Sequence, residues 1–467
     1  MAAPLLPLAL VLALGDPETA AATLPRGEIV AKVVCAADPE ESYALYLPSR
    51  FSPDRTWPVL YVLDPRKRGV VAAERFRAAA EKFGWILASS NNSMSDGPMA
   101  PTVAAIRAMW DDTHRSLPID PARVYATGFS GGARAACLVA QKAAGQFAGV
   151  IGVGAGYAEG SPPAKGQTFV YFGAVGNLDF NYREMRQLDE TLASLSGAHR
   201  LAVFEGPHSW PPEDVCVRAV EWMELSAMRR GARPRDGEIA AEGARREAAA
   251  AAALEAAGRK GDALARYREV AADFDGLTDL AAIRPPLERL EKDAAARREI
   301  EEQSRRERRE EKTFQELAGK LMESLRAEDP VPPTRVAQEL RLPALHHAAA
   351  SGVEAEKLSA RRILAGLFVQ TAFYLPRDYL SRHDARRAAL CTALAAEIRP
   401  DRAAEVYFDF ACLQAQAGER RGAIASLKTA VDKGFHDLKL LETDPDLASV
   451  RTEDGYAKVV ESLKKSG

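Results

Sequence analysis

The stretch Arg123-Val-Tyr-Ala-Thr-Gly-Phe-Ser130-Gly-Gly-Ala-Arg134, which continues to Gln146, decides the fold. Val124 to Thr127 predicts a short buried strand, and Ala133 to Gln146 predicts an alanine-rich helix. The segment 128–132 between them predicts a sharp turn, because its glycines leave room for backbone and helix to approach each other. A serine on such a strand-to-helix turn is a nucleophile elbow. The alternative is a glycine-rich turn with a solvated serine, which the motif alone does not exclude.

Strand-like runs alternate with helical patterns on both sides of this elbow. This alternation predicts a mostly parallel sheet with helices on both faces, that is, an α/β domain. Ligands bind such sheets outside the carboxyl ends of the strands, so the loops that follow the strands are the candidate site loops. The predicted strands lie at residues 29–36, 43–47, 58–63, 85–89, 124–127, 147–153, 168–172 and 200–204.

The composition is that of a globular protein. The 467 residues carry a net charge of only −3, which gives no indication of a nucleic-acid partner. Residues 1–22 begin with an apolar run that is too short to span a bilayer and end in small residues, which is typical of a signal peptide. We therefore expect an exported protein, periplasmic or secreted, with no membrane span beyond the signal. The alternative for this segment is a disordered tail.

Five cysteines are scattered along the chain without the spacing of a metal site, and we expect neither a metal nor a cofactor. A buried thiol is the default interpretation for Cys137 and Cys412. A bridge such as Cys35 to Cys216 is allowed in an exported protein, but the sequence does not establish any pairing. The remaining cysteine is Cys391.

A serine hydroxyl needs a base, and the base needs a partner that fixes its tautomer. His208 directly follows the last predicted strand, whereas His114 lies inside a helix and His199 begins a strand, so His208 is the predicted base. The loop after the preceding strand, residues 173–181, contains one carboxylate, Asp179. Asp179 is the predicted orienting acid, and the alternative for it is a helix N-cap.

The negative oxygen formed during acyl transfer needs two hydrogen-bond donors. The backbone N–H of Gly131, the residue after the nucleophile, is the first. Pro65 has no N–H, so Arg66 is the predicted second donor in the loop after residues 58–63. The candidates for substrate contact are Asn91, Asn92 and Trp210.

With these motifs, residues 28–230 resemble the α/β-hydrolase-fold esterases of the polyhydroxybutyrate depolymerase, feruloyl esterase and dienelactone hydrolase type. The resemblance rests on residues 59–64, 128–132, 176–181 and 208–211. It implies ester hydrolysis through an acyl-enzyme, with Ser130 as nucleophile, His208 as base and Asp179 as its partner. The chain departs from this family after the third strand, where such proteins often have His-Gly and this chain has Asp64-Pro65.

The sequence changes character after a predicted linker at residues 231–240. Residues 241–467 predict an all-α domain with helical hairpins at about 242–274 and 403–433, and residues 287–325 predict one long charged helix. The hairpin at 403–433 matches the small and large positions of a tetratricopeptide repeat, and the one at 242–274 matches them more weakly. Such repeats imply a protein partner.

The leading hypothesis is an exported serine hydrolase that cleaves a small or polymeric carboxylic ester. The same three residues also serve peptidases and acyltransferases. An interaction scaffold with a vestigial hydrolase domain is the alternative from a different class.

Overall fold

A computed structural model describes residues 11–13, 24–95, 98–327 and 331–466. The chain divides into two compact units, residues 1–305 and 306–467. Of the segment 1–22 that was predicted to be a signal peptide, only Val11–Ala13 is described, as a short strand. The rest of that prediction lies outside the described residues.

The first unit is built on a nine-stranded sheet with the order β1-β2-β3-β5-β4-β6-β7-β8-β9. Strand β3 runs antiparallel to both neighbours, and every other pairing is parallel. Strands β4, β5, β7 and β8 are buried along their whole length, as expected for parallel strands covered on both faces. The strands are β1 Val11–Ala13, β2 Ile29–Cys35, β3 Asp38–Tyr46, β4 Trp57–Leu63, β5 Ile86–Ser90, β6 Ile119–Phe129, β7 Gly149–Val153, β8 Val170–Gly176 and β9 His199–Phe204.

Five helices form the two outer layers of this unit. Helices α1 (Gly69–Phe83) and α5 (Glu213–Arg229) pack on one face of the sheet. Helices α2 (Met99–Ser116), α3 (Gly131–Lys142) and α4 (Tyr182–Ser194) pack on the other. With the short β1 set aside, the eight strands β2–β9 and these helices form an α/β-hydrolase fold. This fold prediction is confirmed.

Three more helices belong to the first unit: α6 (Gly237–Ala256), α7 (Lys260–Phe274) and α8 (Arg284–Lys292). They share an apolar core with the end of α5. Asp273 of α7 accepts hydrogen bonds from the guanidinium of Arg200 and from Trp222 Nε1, at 2.6 and 2.9 Å. These helices therefore pack on the hydrolase layers. The domain limits 28–230 and 241–467 stay predictions, and the compact unit itself extends to Arg305.

The long charged helix was predicted as one segment, and this is corrected. Helix α8 ends at Lys292, and α9 runs from Ala294 to Arg326. The carboxylate of Asp293 between them accepts the N–H groups of Ala295 and Ala296 at 2.7 and 3.3 Å. An aspartate that takes these backbone donors starts a new helix rather than continuing the old one.

The second unit is helical throughout its described residues. The predicted hairpin at 403–433 is present as two helices, Ala403–Gln416 and Arg420–Asp432, with Gly418 at φ 81° in the turn between them. That this hairpin is a tetratricopeptide repeat stays a prediction. The helices after α9 are α10 Pro333–Glu339, α11 Leu342–Ala350, α12 Glu354–Val369, a π-helical turn Gln370–Tyr374, α13 Leu375–Ser381, α14 Ala385–Ile398, α15 Ala403–Gln416, α16 Arg420–Asp432, α17 Leu438–Thr443 and α18 Asp454–Ser466.

All five cysteines are buried free thiols. Burial raises the pKa of each, to about 12 for Cys35 and Cys391. No helix within the described ranges is long and apolar enough to cross a membrane.

Candidate active site

Ser130 lies at the turn between β6 and α3 with φ 53° and ψ −121°. A non-glycine residue with this backbone conformation is strained, and strain of this kind is concentrated at functional sites. The turn is also tightly packed. A Cβ on Gly128 would lie 2.2 Å from the carbonyl carbon of Gly132, and a Cβ on Gly132 would lie 2.2 Å from the carbonyl oxygen of Leu63. The segment therefore has the geometry of a nucleophile elbow, and its glycines are needed for close approach.

Asp179 and His208 come together from the loops after β8 and β9. The Asp179 carboxylate is fully buried, and His208 Nδ1 lies 2.8 Å from both of its oxygens. A carboxylate only accepts hydrogen bonds, so Nδ1 donates and Nε2 is left as the basic nitrogen. Asp179 Oδ1 also accepts the N–H of Asn181 at 2.7 Å. Asp179 therefore organises the turn before α4 and holds the imidazole at the same time. The N-cap of α4 is Asn181 and not Asp179, so the N-cap alternative is not met.

The imidazole of His208 is placed against the elbow by two aromatic rings. Its centroid lies 4.5 Å from that of Phe129, the residue before Ser130, and 4.2 Å from that of Phe180. The side chain of His208 keeps 18% of its surface exposed. Among the described residues the Ser130 hydroxyl makes no hydrogen bond, to His208 or to another group. The predicted base and its predicted acid are thus assembled beside the turn that carries Ser130.

The sequence did not single out two residues that support this arrangement. Gly154 follows β7 with φ 62°, and a Cβ there would lie 3.0 Å from His208 Cε1 and 3.1 Å from Asp179 Oδ2. Its carbonyl oxygen accepts Nδ2 of Asn181 at 2.7 Å. Any larger residue at 154 would push the imidazole away from its carboxylate. The position of Asn181 in the acid loop was a signal, but nothing in the sequence pointed to its partner.

The two predicted oxyanion donors, the N–H groups of Gly131 and Arg66, are not equally available for a hydrogen bond to a substrate. Gly131 is the first residue of α3, where backbone N–H groups have no partner within the helix. The N–H of Arg66, in contrast, donates to Asp64 Oδ1 at 2.8 Å. The Asp64 carboxylate is buried and also accepts Arg68 Nε and Nη2 and Trp210 Nε1. In this geometry Arg66 does not offer its N–H to a substrate, so this prediction is corrected.

Burial alone would raise the pKa of Asp64, but the hydrogen bonds from Arg68, Trp210 and the Arg66 N–H outweigh it and hold that pKa below its usual value. Asp64 is therefore a buried anion that fixes the shape of the loop after β4.

The three predicted substrate contacts are engaged inside the protein. Asn91 Nδ2 donates to the carbonyl oxygen of Ala31 at 3.1 Å, and Asn92 Oδ1 accepts the N–H of Ser42 at 3.0 Å. Trp210 is buried, and its indole N–H donates a hydrogen bond to the carboxylate of Asp64. These side chains tie loops to the sheet, so the geometry gives them a structural role.

The other two histidines considered as the base lie elsewhere. His114 stacks on Trp110 of its own helix at 4.0 Å between centroids, and His199 Nε2 lies 3.4 Å from Asp189. Within the described part of the chain, no group of three or more histidine, cysteine, aspartate or glutamate side chains is arranged to hold a metal ion.

No protein-family model and no curated protein matches the chain. About two fifths of the chain is similar in fold to solved serine hydrolases and esterases. The fluorophosphonate-binding serine hydrolase FphF of Staphylococcus aureus shares 16% identity, with TM-score 0.33, over 39% of this chain and 92% of that one. A ferulic acid esterase shares 14% identity, with TM-score 0.35, over 43% and 96%. The esterase Est2 of Thermogutta terrifontis shares 15% identity, with TM-score 0.32, over 41% and 88%.

Proposed function

We propose that the protein is a serine hydrolase that cleaves a carboxylic ester through an acyl-enzyme. Ser130 is the nucleophile, His208 the general base and Asp179 the acid that orients it. The observation that carries the proposal is the buried Asp179–His208 pair, whose imidazole packs on Phe129 immediately beside the strained serine.

The chemistry follows from the protonation state of the pair. His208 Nε2 accepts the hydroxyl proton as Ser130 Oγ bonds to the carbonyl carbon, and the buried carboxylate of Asp179 stabilises the imidazolium that forms. The imidazolium then gives this proton to the departing alcohol oxygen, which leaves an acyl ester on Ser130. Water, deprotonated by the same nitrogen, attacks that ester, releases the carboxylic acid and restores the serine.

The test is covalent labelling with a fluorophosphonate, read by intact-protein mass. The wild type should gain one phosphonyl group, Ser130→Ala should gain none, and the surface control Ser194→Ala should label like the wild type, since its hydroxyl only bonds the carbonyl oxygen of Thr191. A folded wild type that stays unlabelled would refute the proposal.

A scaffold with a vestigial hydrolase domain is the second candidate, because the Ser130 hydroxyl bonds to no other described residue and the Arg66 N–H is occupied. The absence of labelling in the folded wild type is the outcome that supports it. Given labelling, the rates on p-nitrophenyl acetate and on an acetylated alanine p-nitroanilide separate an esterase from a peptidase. The proposal favours the ester.

We further propose export, supported by the apolar run within residues 1–22. Expression with the complete N-terminus should give a shortened mature chain outside the cytoplasm. A full-length chain that stays with the cytoplasmic fraction would contradict this.

A further inference from the structure

In the loop after β4, residues 65–67 offer no backbone N–H to a substrate. Pro65 has no N–H. The next two N–H groups are both engaged, that of Arg66 with Asp64 Oδ1 at 2.8 Å and that of Lys67 with the carbonyl oxygen of Ser93 at 3.0 Å. The N–H of Gly131 alone would stabilise the negative oxygen only weakly, because a second donor increases the rate by about 10²–10³-fold in such sites. A second donor is therefore missing at residues 65–67, and another group has to supply it.

Residues 93–95 pair with this loop and are held against it. The hydroxyl of Ser93 donates to the carbonyl oxygen of Asp64 at 2.9 Å, and the N–H of Ser95 donates to that of Pro65 at 3.2 Å. Arg66 and Met94 form an antiparallel bridge between these two bonds. The bonds made by Ser93 and by the N–H of Ser95 thus fix residues 93–95 relative to the loop.

The pairing places the half-buried side chain of Ser95 directly on the elbow. A Cβ built on Gly131 would lie 2.1 Å from Cβ and 2.7 Å from Oγ of Ser95. Gly131 is the residue after the nucleophile, and its N–H is the first oxyanion donor. The side chain of Ser95 therefore packs against Gly131, whose N–H is the predicted first oxyanion donor.

We propose that the hydroxyl of Ser95 is the second oxyanion-hole donor, which replaces a backbone N–H of the loop after β4. The inference rests on the proposed function, because it assigns a role within the same acyl transfer. As Ser130 Oγ bonds to the carbonyl carbon, the carbonyl oxygen gains negative charge and accepts hydrogen bonds from the N–H of Gly131 and the O–H of Ser95. The bond to Ser95 then weakens again as the alcohol leaves and the carbonyl re-forms.

The decisive measurement compares an oxygen ester with its thiono analogue, in which C=S accepts hydrogen bonds weakly. Ser95→Ala should lower kcat on p-nitrophenyl acetate by about 100-fold or more with little change in KM. On the thiono ester the loss should be less than about tenfold. Ser95→Thr keeps the hydroxyl and should retain activity within about tenfold of the wild type.

Ser93→Ala is the matched control, since it removes a hydroxyl that anchors the same loop but does not touch Gly131. A merely structural effect lowers the rates on both esters by the same factor, and we expect this pattern for Ser93→Ala. The same pattern in Ser95→Ala, or a loss below about threefold on the oxygen ester, would overturn the inference.

Fluorophosphonate labelling of Ser130 distinguishes a failure of the role proposed for Ser95 from a failure of the proposed function. A labelled wild type with an unaffected Ser95→Ala variant rejects the role of Ser95 and leaves the proposed function standing. An unlabelled, folded wild type rejects both.

Discussion

Replacing Asp64 by asparagine should destabilise the first unit, although the two side chains have nearly the same shape. The buried carboxylate accepts four hydrogen bonds: the Arg66 N–H at 2.8 Å, Arg68 Nε and Nη2 at 3.0 Å each, and Trp210 Nε1 at 2.9 Å. An amide keeps one oxygen and places an NH₂ group where the other stood. At least one of these donors then faces another donor inside the protein.

The magnitude follows from the number and type of these bonds. A donor left buried without an acceptor costs about 1–3 kcal/mol, and each charge-assisted bond contributes about 1.5–3 kcal/mol. The Arg68 side chain is 42% exposed, so solvent screens its share. We therefore expect Asp64→Asn to lower the free energy of unfolding by about 3–4 kcal/mol.

Urea unfolding, monitored by tryptophan fluorescence, measures this decrease in the free energy of unfolding for the first unit. All five tryptophans lie between residues 57 and 222, so the signal reports on the first unit alone. The matched control is Glu74→Gln, the same acid-to-amide change in the exposed pair with Arg77, which should cost less than about 0.5 kcal/mol. A loss below about 1 kcal/mol for Asp64→Asn would refute the reasoning.

The depressed pKa of Asp64 adds a dependence on pH. A carboxyl group whose pKa is lower in the folded state stabilises that state at pH values above its unfolded pKa, about 3.9. This stabilisation is lost as the pH falls through the lower, folded pKa. The difference in stability between the wild type and Asp64→Asn should therefore narrow below about pH 4, and a constant difference would contradict the assignment.

Three further changes test other parts of the structure. Asp179→Asn should lower kcat on p-nitrophenyl acetate by about 10³–10⁴-fold with an unchanged circular dichroism spectrum, and a loss under tenfold would remove it from the site. Gly128→Ala should cost more than about 3 kcal/mol in urea because its Cβ has no room, whereas Gly237→Ala, with open space around it, should be close to neutral. In the second unit, Glu310→Gln breaks the buried ion pair with Arg362 and should lower the free energy of unfolding by about 3–5 kcal/mol. Circular dichroism at 222 nm during urea unfolding measures this loss, and an unchanged unfolding curve would show that the pair is not needed.

The elbow and the loops around it could be predicted because their signals are local. The strained turn needs glycines beside Ser130, and the positions of Asp179 and His208 follow from counting strands whose carboxyl ends meet at one edge. Even the error at Arg66 had a local signal. An aspartate two residues earlier commonly takes a backbone N–H in this way, and Asp64 does so.

The roles of Asn91, Asn92 and Trp210 could not be predicted in the same way. Their partners lie 49 to 146 residues away along the chain, on strands β2 and β3 and in the loop after β4. Polar side chains at the mouth of a parallel sheet resemble ligand contacts until such distant partners are known. The contact between Ser95 and Gly131 could not be predicted for the same reason, because it depends on a short pairing between two loops that are distant in sequence.

The burial of every thiol makes the cysteines reporters of how the protein opens. Alkylating reagents attack the thiolate, so iodoacetamide at neutral pH should leave the native chain unmodified. Once a unit unfolds, its own cysteines become reactive: Cys35, Cys137 and Cys216 in the first unit, and Cys391 and Cys412 in the second. Mass spectrometry of the peptides that carry each cysteine then gives the order in which the two units unfold, without any added probe.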